Sequence, residues 1–136
     1  MDQTARAAAA RQFAIDIARH AANTRCNSVV VLDVSALSPV TDFYVIATGT
    51  SPRQMRTVCE ESGELGEGRD YPPLSQAGLE GESWMLVDFV DVILHVFSPD
   101  ARLYYDLDNL WGDARKVQWQ TEAELAAEQA RQETQP

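Results

Sequence analysis

The sequence has little positive charge and almost no lysine. Among 136 residues the single lysine is Lys116, and the formal net charge at pH 7 is −10. Proteins bind nucleic acids mainly through Lys and Arg side chains, which displace counterions from the phosphates. An acidic chain is instead repelled by the phosphates. Direct binding of RNA or DNA as the main role is therefore disfavoured, and a basic protein partner suits this charge better.

Cysteine is scarce as well. Cys26 and Cys59 are the two thiols, and their spacing matches no metal-binding motif. The N-terminus carries Asp2 and no apolar segment of the secretory kind. Two thiols in this context predict a protein of the reducing cytoplasm, with no metal and no cofactor.

Apolar runs long enough to cross a membrane are missing. The most apolar stretch, residues 84–97, is interrupted by Asp88, Asp91 and His95. It is β-branched and too polar for a membrane span, so it predicts buried strands. Two aspartates and a histidine inside such a stretch require an explanation of their own.

Hydrophobic periodicity predicts a helix over residues 4–22, capped by Asp2 or Thr4, with His20 on its surface. Apolar runs predict strands near residues 28–34, 43–48, 74–77, 84–89 and 92–97. The last two are expected to join tightly around Val90 and Asp91.

Ser followed by Pro, at residues 51–52 and 98–99, is typical of a helix start. We expect Gly63 to end or fray the helix after Ser51, and residues 63–73 to form a flexible acidic loop. Residues 102–111 predict a short aromatic helix or turn, and residues 121–136 a frayed helix or disordered tail.

This order of elements indicates a small mixed β-sheet flanked by helices, an α/β or α+β fold. The domain is predicted to span residues 1–113, and residues 114–136 form a polar acidic C-terminal tail.

Two features could indicate catalysis, the turn at residues 48–51 and His95, but each also has a structural explanation. The turn at residues 48–51 could hold a phosphate, with Asp88 and Asp91 as metal ligands, as in nucleotidyltransferases. However, side chains three apart on a regular strand point to opposite faces, and a plain helix cap explains the turn. His95 has no partner nucleophile, so a structural or interface histidine is favoured over a catalytic one.

The aromatic residues of this region have two readings. Phe97 and Trp111 are expected to fill the core. For Trp84 and Phe89 the sequence leaves core and protein interface evenly open, because Trp and other aromatics also dominate binding hot spots.

Two blocks of sequence resemble the ribosomal silencing factors, the iojap-like family. The first is Asp33-Val34-Ser35 followed by Thr41 through Gln54. The second is Gly78, Trp84 through Asp88, Asp91 through Phe97, Arg102 and Tyr105 through Trp111. The blocks stand in the family's order and separation, and the similarity covers about residues 10–113.

This resemblance implies a nucleotidyltransferase-like α/β fold without enzymatic activity, usually in a homodimer. It implies binding to the fourteenth protein of the large ribosomal subunit, which blocks joining of the small subunit and lowers translation when nutrients are scarce. The residues that it assigns to partner binding are Trp84, Asp88, Phe89, His95, Tyr105 and Leu107. A nucleotide-binding enzyme of the same fold, or an adaptor with another partner, are the alternatives.

The sequence departs from the family pattern at two turn positions. Ala77 stands where the family usually has Glu, and Val90 stands where it usually has Gly. If the turn at Val90 requires a positive φ, valine is poorly suited to it.

Overall fold

The computed structural model describes residues 2–133, which form six strands and five helices. In chain order these are α1 (Gln3–Asn23), β1 (Asn27–Asp33), β2 (Phe43–Thr48), α2 (Pro52–Glu67), β3 (Ser75–Ala77), β4 (Trp84–Asp88), β5 (Val92–Phe97), α3 (Pro99–Tyr105), α4 (Leu107–Leu110), β6 (Arg115–Val117) and α5 (Glu122–Glu133). The predicted mixed α/β class is confirmed.

The strands form one mixed sheet in the order β3-β4-β5-β2-β1-β6. β2 and β5 pair in parallel at its centre, and every other pair is antiparallel. All six residues of β5 are buried. A strand covered on both faces is expected to read as a continuous apolar run, which is why residues 92–97 look so hydrophobic.

α1 and α2 cover one face of the sheet. α1 begins at the predicted cap, where the Asp2 carboxylate accepts the Ala5 N–H at 2.8 Å. Its buried stripe is the one that periodicity predicts, and Phe13 and Ile17 are its largest members. α2 begins at Ser51, whose hydroxyl accepts the Gln54 N–H at 3.1 Å.

The expectation that Gly63 ends the second helix is wrong, because α2 continues to Glu67. Gly63 and Gly66 both lie inside α2, and other parts of the chain approach Gly66 closely. A Cβ at Gly66 would lie 2.3 Å from the Tyr71 carbonyl oxygen and 2.7 Å from the Phe89 ring. Tertiary packing at this position outweighs the helix-breaking tendency of glycine.

One strand, β6, was not predicted from the sequence. β6 pairs antiparallel with β1 at the sheet edge, so the sheet extends past the predicted domain end at residue 113. The C-terminal segment forms the predicted helix as far as Glu133, and the Thr121 hydroxyl accepts the Glu124 N–H at 3.1 Å. Residues 134–136 of that prediction lie outside the described residues. α5 buries no side chain and is joined to α1 through an Arg19–Glu124 ion pair.

Within residues 2–133, no helix has the length and apolar character that crossing a membrane requires.

Candidate partner-binding face

The sheet face opposite α1 and α2 carries a continuous set of rings, which we call the aromatic face. Side chains from three strands contribute to it, and α3 and α4 close one end. Neighbouring rings lie 4.6 to 6.1 Å apart, at the separations that favour aromatic pairs. Its members are Tyr44, Trp84, His95, Phe97, Tyr105 and Trp111.

Trp84 and His95 form a hydrogen-bonded pair at the centre of the aromatic face. The Trp84 indole N–H donates to Nδ1 of His95 at 3.1 Å. Since Nδ1 accepts, the neutral ring carries its proton on Nε2. Nε2 is buried and has no hydrogen-bond partner among the described residues. Burial lowers the pKa of His95 to about 4, so the ring is neutral at physiological pH.

Tyr105 is the most accessible of the predicted contacts. It is exposed, and its ring lies 4.6 Å from the ring of Trp84. Trp84 itself is half-buried. Leu107 and His95 lie beneath the surface, so they support the exposed rings rather than form the outer surface.

Arg102 holds α3 and α4 in place. Its guanidinium donates to both carboxylate oxygens of Asp108, at 2.8 and 2.9 Å. It also donates to the Ser28 carbonyl at 2.9 Å and to the Thr48 hydroxyl at 3.0 Å. The hydrogen bond from Arg102 is the main cause that lowers the pKa of Asp108. The two helices are thus tied to β1 and β2 through one side chain.

Phe89 does not belong to the aromatic face, and its predicted role as an exposed anchor is corrected. Only 2% of it is exposed. Its ring makes an edge contact with Phe13 of α1 at 5.0 Å. Alternation explains the difference, because Phe89 continues the α1-facing series of Met85 and Val87. The core reading, left open by the sequence, is the correct one.

Asp88 ends β4 and shapes the turn that follows. Its carboxylate accepts the Val90 N–H at 2.8 Å, while its carbonyl accepts the Leu74 N–H at 2.7 Å. The side chain is half-buried.

The turn between β4 and β5 has the backbone conformation that valine fits poorly. Val90 adopts φ = 77°, and the Phe89 carbonyl accepts the Asp91 N–H at 3.0 Å. A bond from residue i to residue i+2 with positive φ at the centre is a rare, strained γ-turn. A β-branched residue with positive φ is a true outlier. The departure from glycine at this position therefore leaves the turn in place and makes it strained.

The residues of the alternative nucleotidyltransferase site make ordinary structural contacts. In the turn before α2, Gln54 accepts the Thr50 N–H at 3.0 Å and donates its own N–H to Ser51, as a plain helix cap does. Residues 2–133 contain no group of three or more His, Cys, Asp or Glu placed to hold a metal ion.

Three exposed side chains beside the aromatic face were not singled out from the sequence. Leu103, Tyr104 and Leu110 are 80%, 82% and 71% exposed, and we call them the α3–α4 patch. In a short segment dense in apolar residues, the sequence does not tell which side chains face the sheet. Leu107 faces it, whereas these three face solvent.

The fold is that of a small mixed α/β domain known from solved structures. One, from Chromobacterium violaceum, matches with a TM-score of 0.69 at 27% identity over 90% of this chain and 96% of that chain. Another, from Bacillus halodurans, matches with a TM-score of 0.65 at 29% identity over 79% of this chain and 94% of that chain.

Sequence relatives give the family. The pattern of the RsfS family, described as "Ribosomal silencing factor during starvation", matches residues 7–136. The ribosomal silencing factor of Halalkalibacterium halodurans is 34% identical over 94 residues, 69% of this chain and 80% of that protein. That of Treponema pallidum is 36% identical over 99 residues, 71% of this chain and 87% of that protein. The chloroplastic Iojap protein of Arabidopsis thaliana is 31% identical over 106 residues, 78% of this chain and 44% of that protein. The chain belongs to the family of ribosomal silencing factors.

Proposed function

We propose that this chain binds the fourteenth protein of the large ribosomal subunit through the aromatic face and the α3–α4 patch. The bound body then blocks joining of the small subunit and lowers translation when nutrients are scarce. The protein acts in the cytoplasm as a binding protein, without a catalytic step, and forms a homodimer when it is free.

The observation that carries this proposal is the α3–α4 patch. Leu103, Tyr104 and Leu110 expose large apolar side chains that contribute little to the monomer's core. Contiguous exposed apolar surface with aromatic members marks protein-binding sites. Trp84 and Tyr105 extend this surface onto the sheet, while His95 and Leu107 support it from below.

Charge around the patch supports a basic partner. Residues 98–113 contain four aspartates and a single cation, Arg102. That cation is already paired with Asp108. The surroundings of the patch are therefore negative, which favours association with a basic ribosomal protein over rRNA.

The mechanism is steric and needs no reacting group. A standard interface buries roughly 800 Å² on each partner, which a chain of this size can supply on one face. Silencing then follows if the bound protein occupies space that the small subunit requires.

Co-sedimentation with purified large subunits tests the proposal. Wild-type protein should pellet with free large subunits at low salt and should dissociate as salt rises. Tyr104→Ser should weaken binding by about 2 kcal/mol, as truncation of an aromatic hot spot does, while the protein stays folded because the side chain is exposed.

Leu37→Ser is the matched control, since Leu37 is an exposed apolar residue in the loop between β1 and β2, outside the patch. It should bind like wild type. Absence of wild-type binding at low salt, or equal binding by wild type and Tyr104→Ser, contradicts the proposal.

A further inference from the structure

An apolar pocket lies around the strained turn, next to the Asp88 end of β4. It has a volume of about 350 Å³ and is formed by the loop after α2 and the β4–β5 turn. We call it the tip pocket. Its lining includes Asp70, Tyr71, Leu74, Phe89, Val90 and Asp91.

The walls of the tip pocket are aliphatic and exposed. Leu74 is 70% exposed and Val90 is 50% exposed, although each is large and apolar. The floor is rigid, because Tyr71 stacks on Phe13 at 4.5 Å and Phe89 packs against the same ring. The pocket therefore offers an apolar surface supported by packed aromatic rings.

The rim of the tip pocket is acidic. Asp70 and Asp91 both line it, and no Lys or Arg does. The charge of Asp91 contributes, after burial, to raising the pKa of Tyr71, so this carboxylate acts on the floor of the pocket. Arg69, next to Asp70 in the sequence, is paired with Asp16 at 2.6 Å, and its guanidinium lies 5.8 Å from the centre of the Phe13 ring.

Two residues that line the tip pocket have a backbone conformation that side chains with a Cβ rarely adopt. Val90 has φ = 77° and Asp70 has φ = 61°, so a residue other than glycine adopts positive φ on each side of the pocket. Such conformations cost of the order of 1–3 kcal/mol each and tend to persist at binding sites. Because residue 90 is valine and not glycine, an aliphatic side chain lines the tip pocket at this position.

We propose that the tip pocket binds a lysine or arginine side chain of the basic protein partner. The aliphatic stem would pack between Leu74 and Val90, and the cationic head would meet Asp70 and Asp91. Long basic side chains combine these two characters, an apolar stem and a charged end. The pocket matches both, whereas an aspartate rim disfavours a phosphate.

The inference rests on the proposed function, because the basic partner is taken to be the ribosomal protein. Trp84 and Asp88 lie four residues apart on β4, or about 13 Å. The floor of the tip pocket is on the α1-facing side of β4, so a partner reaches both sites by extending past the Asp88 end of the strand. The tip pocket adds a second, charge-selective point of contact to the first.

The test measures affinity for purified large subunits by co-sedimentation over a range of salt. Leu74→Ser and Val90→Ala should each weaken binding about three- to tenfold, as loss of a packed apolar contact does at an interface. Asp70→Asn should weaken binding at low salt and reduce its salt dependence, because one attractive charge is lost.

Matched controls are Leu37→Ser for Leu74 and Val40→Ala for Val90, since both are exposed apolar residues outside the tip pocket. A photo-crosslinking side chain at position 74 supplies the second readout. It should attach to a peptide of a large-subunit protein that contains Lys or Arg.

The outcomes separate the two proposals. If wild type binds large subunits and the Leu74 and Val90 variants bind equally well, the tip pocket has no such role and the aromatic face keeps its own. Crosslinking to rRNA, or equal weakening by the control variants, also overturns the tip pocket. If wild type does not bind at all, both proposals fail.

Discussion

Replacing Val90 with glycine should stabilise the protein. Val90 is held at φ = 77°, a conformation that costs a residue with a Cβ roughly 1–3 kcal/mol. Glycine removes this cost but loses about 0.5–1 kcal/mol through its greater freedom in the unfolded chain. Loss of the half-buried side chain costs about 0.75 kcal/mol of apolar burial, while the strain of a β-branched residue at positive φ lies towards the upper end of its range. The net expectation is an increase of about 1 kcal/mol in the free energy of unfolding.

Urea titration and thermal melting measure this change. A gain of about 1 kcal/mol should raise Tm by about 4 °C for a domain of this size and raise the urea midpoint without changing the slope. Val40→Gly is the control, because Val40 is exposed and has no positive φ. It should lose stability through the entropy of glycine alone.

A Val90→Gly protein that melts at or below the wild-type temperature would refute the reasoning about strain. The same variant lacks the aliphatic wall of the tip pocket, so it should bind large subunits more weakly while being more stable. Loss of binding in that variant could not be attributed to unfolding.

Three further predictions concern the remaining parts of the fold. Gly78→Ala should destabilise by more than about 2 kcal/mol in urea titration, because φ is 78° there and a Cβ would lie 2.0 Å from the Trp84 carbonyl oxygen. Arg102→Ala should lower the free energy of unfolding by about 2 kcal/mol, because it removes two charge-assisted hydrogen bonds to Asp108. Equal stability of wild type and variant would contradict the role of Arg102. The pKa of His95 is about 4 in the folded protein and about 6.5 in the unfolded chain, so the unfolded state binds the proton more readily. The free energy of unfolding should therefore fall as pH drops from about 6.5 towards 4. His95→Leu should reduce this slope, and an unchanged slope would show that His95 is not its source.

Most of the sheet could be predicted because its strands are bounded by strong local signals. β2 begins at Phe43 and ends at Thr48, as its apolar run predicts. The Ser-Pro pairs at residues 51–52 and 98–99 cap helices, with each serine hydroxyl accepting a backbone N–H three residues later. β6 escaped prediction because its three residues have no period of their own, and pairing with β1 decides their conformation.

The length of α2 was misjudged for a similar reason. Gly63 and Gly66 are helix breakers by local propensity, yet both are buried where the loop carrying Tyr71 and Pro73 passes close to the helix. The sequence shows the glycines but not the chain that packs against them. A contact that is distant in sequence therefore reversed a local preference.

The sequence predicted which segment of the chain forms the candidate site, but not which face of the strand each side chain occupies. The sequence placed Trp84 and Phe89 together as possible anchors. The structure separates them, since their side chains lie on opposite faces of β4. Which face of a strand is exposed depends on where α1 packs, and no single strand encodes that. The α3–α4 patch was missed because α3 and α4 together are too short for periodicity to distinguish their exposed side.

The proposed role of the aromatic face is tested most directly by subunit joining. Purified small and large subunits are mixed with the protein, and formation of the joined ribosome is followed by light scattering. Wild type added to large subunits beforehand should lower the amount of joined ribosome, Tyr104→Ser should restore it, and Leu37→Ser should act like wild type. Full joining in the presence of excess wild type, or equal inhibition by wild type and Tyr104→Ser, would contradict the account.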